Sequence, residues 1–269
     1  MANKSNKQIF LAQNFLRSSK LVRSLLDTSS IGSRDLVYEI GPGRGIITAE
    51  LAQIAHKVIA IEKDSTIARQ LCHRFQDVDN VQIIAHDFLM YHIYEREYKI
   101  FASIPYNITA SIVRKIFYTS PVPSEAYLIM QKEAAEKFSG RPDETQFSVL
   151  AKPLFDIQII RGLRRTDFEP VPNVDSVLLR IKKRRSPLIR KEDAFLYSDF
   201  VRYGFCTWKN SLKLSFKPIF TYGQWKHLSK DLRFPLNAIP SRLTFEQWLG
   251  LFECFKERVP SKKQAYVKR

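Results

Sequence analysis

At 269 residues, 45% hydrophobic and 26% charged, the chain has the composition of an ordinary globular protein, long enough for one substantial core and a smaller appended domain. No uninterrupted apolar stretch approaches the roughly 20 residues that span a bilayer, and the polar first ten residues, Met1 to Phe10, carry no secretory signal, so a membrane protein is excluded and the cytoplasm is the expected compartment. Cys72, Cys206 and Cys254 are odd in number and far apart, which suits neither a disulfide framework nor a CxxC metal site.

Taken in chain order, the first strong pattern is an apolar, β-branched run at 36–40 that gives way to a helical segment at 46–54. Between them stands Glu39-Ile40-Gly41-Pro42-Gly43-Arg44-Gly45, where glycines let the backbone turn tightly and approach a ligand closely. There is no GKS/T, so the lysine of a phosphate-cradling loop is missing. The spacing G-x-G-x-G, with an acid closing the strand, suits a cationic methionyl group better than a pyrophosphate. The next run, 58–61, leads into Glu62, about where an acid accepts hydrogen bonds from ribose hydroxyls in such a crevice. After a helical stretch at 66–75, the run 81–85 leads into His86-Asp87-Phe88, where the Asp87 carboxylate would accept from an adenine amine and Phe88 would flank the ring.

The run 100–104 leads into Ser103-Ile104-Pro105-Tyr106-Asn107, and a helical segment follows at 108–118. The pentapeptide is similar to the [N/D/S]-x-P-[Y/F] motif of methyltransferases that act on amines conjugated to a ring. Such an amine is a poor nucleophile because its lone pair is delocalised. A side-chain oxygen at Ser103 and the Ile104 carbonyl, fixed by Pro105, supply acceptors for its hydrogens, and Tyr106 supplies a ring on which an extruded base stacks. Runs at 126–130, 155–160 and 176–181 complete seven candidate strands; the last two are joined by a proline-rich, charged connection and pair as an edge hairpin. The expected fold is α/β, a mainly parallel seven-stranded sheet with an antiparallel edge hairpin.

At 182–187 a charged, proline-closed stretch marks a domain boundary, giving domains at 1–181 and 182–269. Beyond it the pattern is helical, with Leu196, Phe200, Val201, Phe205 and Trp208 and then Phe245, Trp248, Leu249, Phe252 and Phe255 at helical spacing; these aromatics read as core. Residues 261–269 read as a frayed basic tail. The second region carries 20 lysines and arginines against 7 acids, which is +13 of the net +16. A basic segment of that kind is the footprint of a polyanion, with Arg114, Lys115, Arg141, Arg164 and Arg165 as further candidates for the same surface.

Together, Gln13-Asn14-Phe15-Leu16, residues 39–45, Glu62, Asp87, residues 103–107 and Phe168-Glu169-Pro170-Val171-Pro172-Asn173-Val174-Asp175-Ser176 resemble the rRNA adenine N6-methyltransferases, and among them the Erm macrolide-resistance family, from about residue 8 to about residue 216. The resemblance implies a Rossmann-like class I methyltransferase with a small helical RNA-binding domain, and S-adenosyl-L-methionine as cofactor. It implies that Asn14 and Leu16 close over the cofactor, that Gly41 approaches its methionine part with Glu39 and Gly43 beside it, and that Glu62 and Asp87 bind ribose and adenine. Tyr106 and Phe168 would sandwich an adenosine of 23S rRNA, transferring one or two methyl groups and conferring resistance to macrolide, lincosamide and streptogramin B antibiotics. Most of the family has Asn where this chain has Ser103, and the shorter reach leaves mono- and dimethylation both open. No metal is expected, and the enzyme is expected to act as a monomer. The same motifs also fit the small-subunit 16S rRNA dimethylase and, in another class, a non-catalytic nucleic-acid-binding protein on a methyltransferase scaffold.

Overall fold

The computed structural model describes residues 15–206 and 211–268; Asn14 and Trp208 lie outside the described residues. The chain divides into two compact units, the first running to Ala135 and resuming over Asp156–Lys183, the second taking Glu136–Phe155 and everything from Arg184 on. The charge step at 182 marks one junction of the second unit. The segment 136–155, which the sequence reading placed in the first domain, carries no such step.

A two-residue strand β1 (Phe15–Leu16) opens the first unit, followed by α1 (Ser19–Leu26), β2 (Leu36–Ile40), α2 (Ile46–Ile54), β3 (Lys57–Glu62), α3 (Ser65–Arg74) and β4 (Val81–Ala85). Local chemistry sets these boundaries. Asp64 caps α3 by accepting from the Thr66 and Ile67 amides, whereas α2 starts at Gly45 with no side-chain cap. Next come β5 (Lys99–Ser103), a single 3₁₀ turn at Tyr106–Ile108, α4 (Thr109–Tyr118), β6 (Glu125–Gln131), α5 (Lys132–Ser139), α6 (Gln146–Ala151), β7 (Phe155–Leu163), β8 (Phe168–Glu169) and β9 (Ser176–Lys183).

Seven of these strands form one sheet in the order β4-β3-β2-β5-β6-β9-β7. β4, β3, β2, β5 and β6 run parallel, and β9 lies antiparallel to β6 with Gln131 opposite Ser176. The expected α/β fold is therefore the observed one, with β7 at the edge beside β9. The short continuous apolar runs are strands buried on both faces: Val37, Val58, Ala60, Phe101, Ala102 and Leu128 have no exposed surface. The connection between β7 and β9 is more structured than its composition suggested, because β8 pairs antiparallel with β1, Leu16 opposite Phe168 and Phe15 opposite Glu169.

In chain order the strands step from β2 outward to β4, then return to begin again on the other side of β2 with β5. The reversal lies between β2 and β5, and in sheets of this kind a crevice opens there, outside the carboxyl ends of the two strands. Gly41 follows β2 and Ile104 follows β5, so the two motifs read from the sequence meet at the switch point.

In the second unit, α7 (Ala194–Phe205), α8 (Leu212–Ser215), α9 (Tyr222–Asp231), α10 (Phe245–Arg258) and α11 (Ser261–Gln264) surround an aromatic core. Phe200 stacks on Phe216 at 4.8 Å, lies 4.7 Å from Phe255 and meets Trp248 edge-on, all four being fully buried. Threonines cap two of the helices in reciprocal boxes, Thr221 with Gln224 and Thr244 with Gln247. The segment read as a frayed tail is ordered as far as Val267, which is buried, because the Gln264 amide donates to the carbonyls of Phe255, Lys256 and Val259. Its basic residues hid this anchoring from a reading by composition. Among the described residues no helix is long and apolar enough to cross a membrane.

With Phe200 at the centre of the aromatic cluster, Phe200→Ala should cost about 3–5 kcal/mol of stability, the range for an aromatic deleted from a packed core. Chemical denaturation monitored by tryptophan fluorescence measures it, and a loss below about 1 kcal/mol would mean that the cluster is loosely packed.

Candidate active site

The glycine turn after β2 determines the shape of the crevice. Gly41 and Gly43 have φ of +65° and +54°, a left-handed conformation in which a side chain is strained. A Cβ built on Gly41 would meet nothing within 4 Å, so this face of the turn is open for close approach. A Cβ on Gly43 would lie 2.5 Å from the Phe15 ring, which covers that residue. Phe15 is held there from both sides. It pairs with Glu169 in the β1·β8 ribbon, and the Arg44 guanidinium sits 5.0 Å over its ring while reaching Glu169 at 3.4 Å.

A hollow opens beside Gly41, bordered by Phe15, Leu16, Pro42, Arg44, Ile46, Ile47, Ser103, Ile104, Pro105, Tyr106 and Phe168. The structure therefore brings together Leu16, Gly41, Ser103, Ile104, Pro105, Tyr106 and Phe168 from four separate parts of the chain. Glu39, Gly43, Glu62, Asp87 and Phe88 are not among the residues that border it. Phe168 is almost fully buried and belongs to the same hydrophobic cluster as its partner Leu16, whereas Tyr106 is half-buried. The loop carrying Tyr106 is fixed by backbone bonds: the Ile104 amide donates to the Ile129 carbonyl on β6, and the Ile108 amide and Thr109 hydroxyl both donate to the Pro105 carbonyl.

Two buried carboxylates stand near the glycine turn. Glu62 accepts from the Gly43 amide at 3.2 Å and the Asp64 amide at 3.0 Å, so it ties the turn to the end of β3. Glu39 is 1% exposed; one oxygen accepts from the Thr48 hydroxyl at 2.6 Å, and the other, Oε1, has no hydrogen-bond partner among the described residues. Burial, helped by the charge of Glu62 and opposed by the Thr48 hydroxyl, pushes the Glu39 carboxyl up to about 8. A buried acid with an unused oxygen is poised to receive a cation or a hydrogen-bond donor, which an α-amino group supplies.

At the end of β4, Asp87 accepts from the Leu89 amide and pairs with Lys63 at 2.8 Å; the lysine holds its carboxyl below the usual carboxylate range. Phe88 is buried, and Lys115 places its ammonium 5.0 Å over the ring while donating to the carbonyls of Phe88 and Tyr91. Lys115 is thus turned in toward this loop, correcting its inclusion in an outward RNA surface; Arg114, Arg141, Arg164 and Arg165 are exposed. Sequence reasoning gave no role to Thr48 or Lys63, and did not foresee the contacts of Lys115 and Ser176. Each acts through a residue at least nine positions away, which no local pattern announces.

The open face of Gly41 and the unused Glu39 oxygen fit a ligand with an amino-acid part, as S-adenosylmethionine has.

The chain matches the family model described as ribosomal RNA adenine dimethylase over residues 4–257. It is 28% identical over 259 residues to an rRNA adenine N-6-methyltransferase of Bacillus licheniformis, covering 96% of this chain and 90% of the relative. It is 30% identical over 253 residues to a ribosomal RNA small subunit methyltransferase A of Acaryochloris marina, covering 89% and 94%. Among solved structures, that of the 23S rRNA methyltransferase ErmE aligns with a TM-score of 0.85 at 28% identity, covering 91% of this chain and 100% of that one.

The raised Glu39 carboxyl has a consequence for stability. The unfolded chain loses this proton near pH 4.5 and the folded protein near 8, so the folded state holds more protons in that interval and stability falls as pH rises through it. Glu39→Gln removes the effect while keeping an acceptor for Thr48. Its melting temperature relative to the parent should therefore climb between pH 5 and pH 8 in scanning calorimetry; a difference that ignores pH would mean that Glu39 is ionised throughout.

Proposed function

The chain belongs to the ribosomal RNA adenine dimethylase family, and from that premise we propose that it transfers methyl groups from S-adenosylmethionine to N6 of an adenosine in 23S rRNA, protecting ribosomes from macrolide, lincosamide and streptogramin B antibiotics. That it is an rRNA adenine N6-methyltransferase follows from the family and its named relatives. The observation that carries the finer reading is the meeting of the Gly41 turn, the Ser103–Tyr106 loop and Phe168 around one hollow. The likeness to ErmE supports the large-subunit target.

When bound, the cofactor supplies an electrophilic methyl on a sulfonium. Gly41 and the Glu39 carboxyl group would hold its methionine part, Glu62 its ribose, and Asp87 with Phe88 its adenine, while Leu16 would cover it. Ser103 Oγ and the Ile104 carbonyl accept from the target amine and orient its lone pair toward the methyl carbon, with Pro105 fixing the carbonyl. Tyr106 and Phe168 hold the extruded base between them, and the Tyr106 ring face favours a nearby positive charge. No strong base is needed among the protein groups, because the nitrogen sheds its proton after it has become cationic. The exposed lysines and arginines of the second unit, Arg185, Arg202, Lys217, Lys226 and Arg258 among them, meet the phosphates of the RNA. The enzyme acts as a monomer in this reading.

The Acaryochloris relative favours a second target, an adenosine of 16S rRNA. Tritium transfer from labelled S-adenosylmethionine to protein-free 23S rRNA, 16S rRNA and duplex DNA, followed by primer extension, separates the two. Label confined to an adenosine of 23S rRNA is expected; label confined to 16S rRNA would replace the proposed target. Tyr106→Ala should lower turnover about 10- to 100-fold, the worth of one base–aromatic stack, and leave cofactor affinity intact. Weak cofactor binding with normal turnover at saturation would refute the role given to this ring.

A further inference from the structure

The proposed chemistry uses Tyr106 but leaves unexplained what sets the angle of its ring. The residue sits on one 3₁₀ turn after Pro105, and a tyrosine side chain has two soft torsions that backbone anchoring does not fix. Its hydroxyl lies 2.7 Å from the hydroxyl of Ser176, which is 1% exposed and is the first residue of β9. That strand is interior to the sheet, between β6 and β7, and Ser176 stands in register with Gln131. The residue before it is pinned as well, since the Lys132 amide donates to the Asp175 carbonyl at 2.9 Å. A ring on a short turn is thus tethered at its far end to a rigid point 70 residues away.

Ser176 also closes the loop that begins after Phe168 and β8. A buried serine hydroxyl requires a partner, and Tyr106 supplies it at good distance.

We infer that Ser176 is a positioning residue for the target base: its hydrogen bond fixes the tilt and depth of the Tyr106 ring, so that the base stacked there presents its amine to Ser103 and Ile104. This rests on the reading of Tyr106 as the stacking ring. Ser176 touches neither base nor cofactor, and its contribution passes entirely through the phenol.

A double-mutant cycle on Ser176→Ala and Tyr106→Phe tests this, since the second change keeps the ring and removes the same bond from the other side. The readouts are kcat and KM on the protein-free rRNA that takes label, the Kd for S-adenosylmethionine by calorimetry, and thermal unfolding. Each single change should lower kcat/KM about five- to tenfold, mainly through kcat, with cofactor Kd unchanged and the double variant no worse than either single. Wild-type turnover in Tyr106→Phe, or losses that multiply in the double variant, would overturn the inference. Should Ser176→Ala fail to fold, Tyr106→Phe decides alone. A Tyr106→Ala variant distinguishes the levels: loss there with full activity in Tyr106→Phe removes only the positioning role, whereas full activity in both removes the stacking reading and the positioning role with it.

Discussion

Reversal of strand order between β2 and β5 is the constraint on which the site depends. A parallel sheet built outward in both directions from one central strand leaves a cleft where its two halves diverge, and the loops at the carboxyl ends of the flanking strands face each other across it. Here those loops are the left-handed glycine turn at Gly41 and the proline-fixed loop at Ser103–Tyr106. Neither turn would be useful alone. A glycine turn is a place where a ligand comes close to backbone, and an x-Pro-Tyr loop is a place where a carbonyl is presented and a ring stands up. Only the sheet topology makes them one site, and the β1·β8 ribbon closes its third side by pairing Leu16 with Phe168.

The same cleft explains an electrostatic oddity. Placing Glu39 and Glu62 together behind the glycine turn is unfavourable, since burial and the charge of Glu62 both disfavour ionising Glu39. Glu62 offsets part of this by accepting two backbone amides, one of them from Gly43. Glu39 is held by Thr48 alone among the described residues and keeps one oxygen unused. On the proposed function that oxygen is where a cationic amino group is recognised. The cost carried by the protein then becomes selectivity for a ligand that donates there, because a group without a donor hydrogen would leave the orphaned oxygen unsatisfied.

Most of this was legible in the sequence because it is local. Continuous apolar runs gave the seven strands to within a few residues, since strands buried on both faces have no polar alternation to blur them. Gly41, Gly43, Ser103 and Tyr106 announced themselves because special backbone geometry and ring chemistry are written in adjacent residues. What was hidden is what depends on chain return. The β8 strand is two residues long and exists because β1 lies beside it, so nothing in Phe168-Glu169 alone marks it as a strand. The assignment of 136–155 to the second unit is likewise absent from composition; there Tyr197 donates to the Val149 carbonyl and Val149 joins the aromatic core. Lys115 read as one more surface cation because its helical position is solvent-facing by pattern, yet its length lets the ammonium reach back to Phe88 and Tyr91.

The division of the chain into two units also divides the physical work. The second unit spends most of its aromatics on its own core, with Phe200, Phe216, Trp248 and Phe255 buried against one another, while Phe195, Tyr222 and Tyr266 stay exposed. What it presents outward is charge, and charge recognises the regularly spaced phosphates of any RNA without reading sequence. The first unit has a different endowment: over 1–135 and 156–183 it carries 22 basic residues against 17 acidic, a nearly balanced charge, but it presents Tyr106 and Phe168 at one hollow. On the proposed function, affinity for RNA and choice of base therefore reside in different residues. Changes to the basic surface would weaken binding to all RNA alike and make it less sensitive to salt, whereas changes around Tyr106 would alter which base is accepted at an affinity that hardly moves.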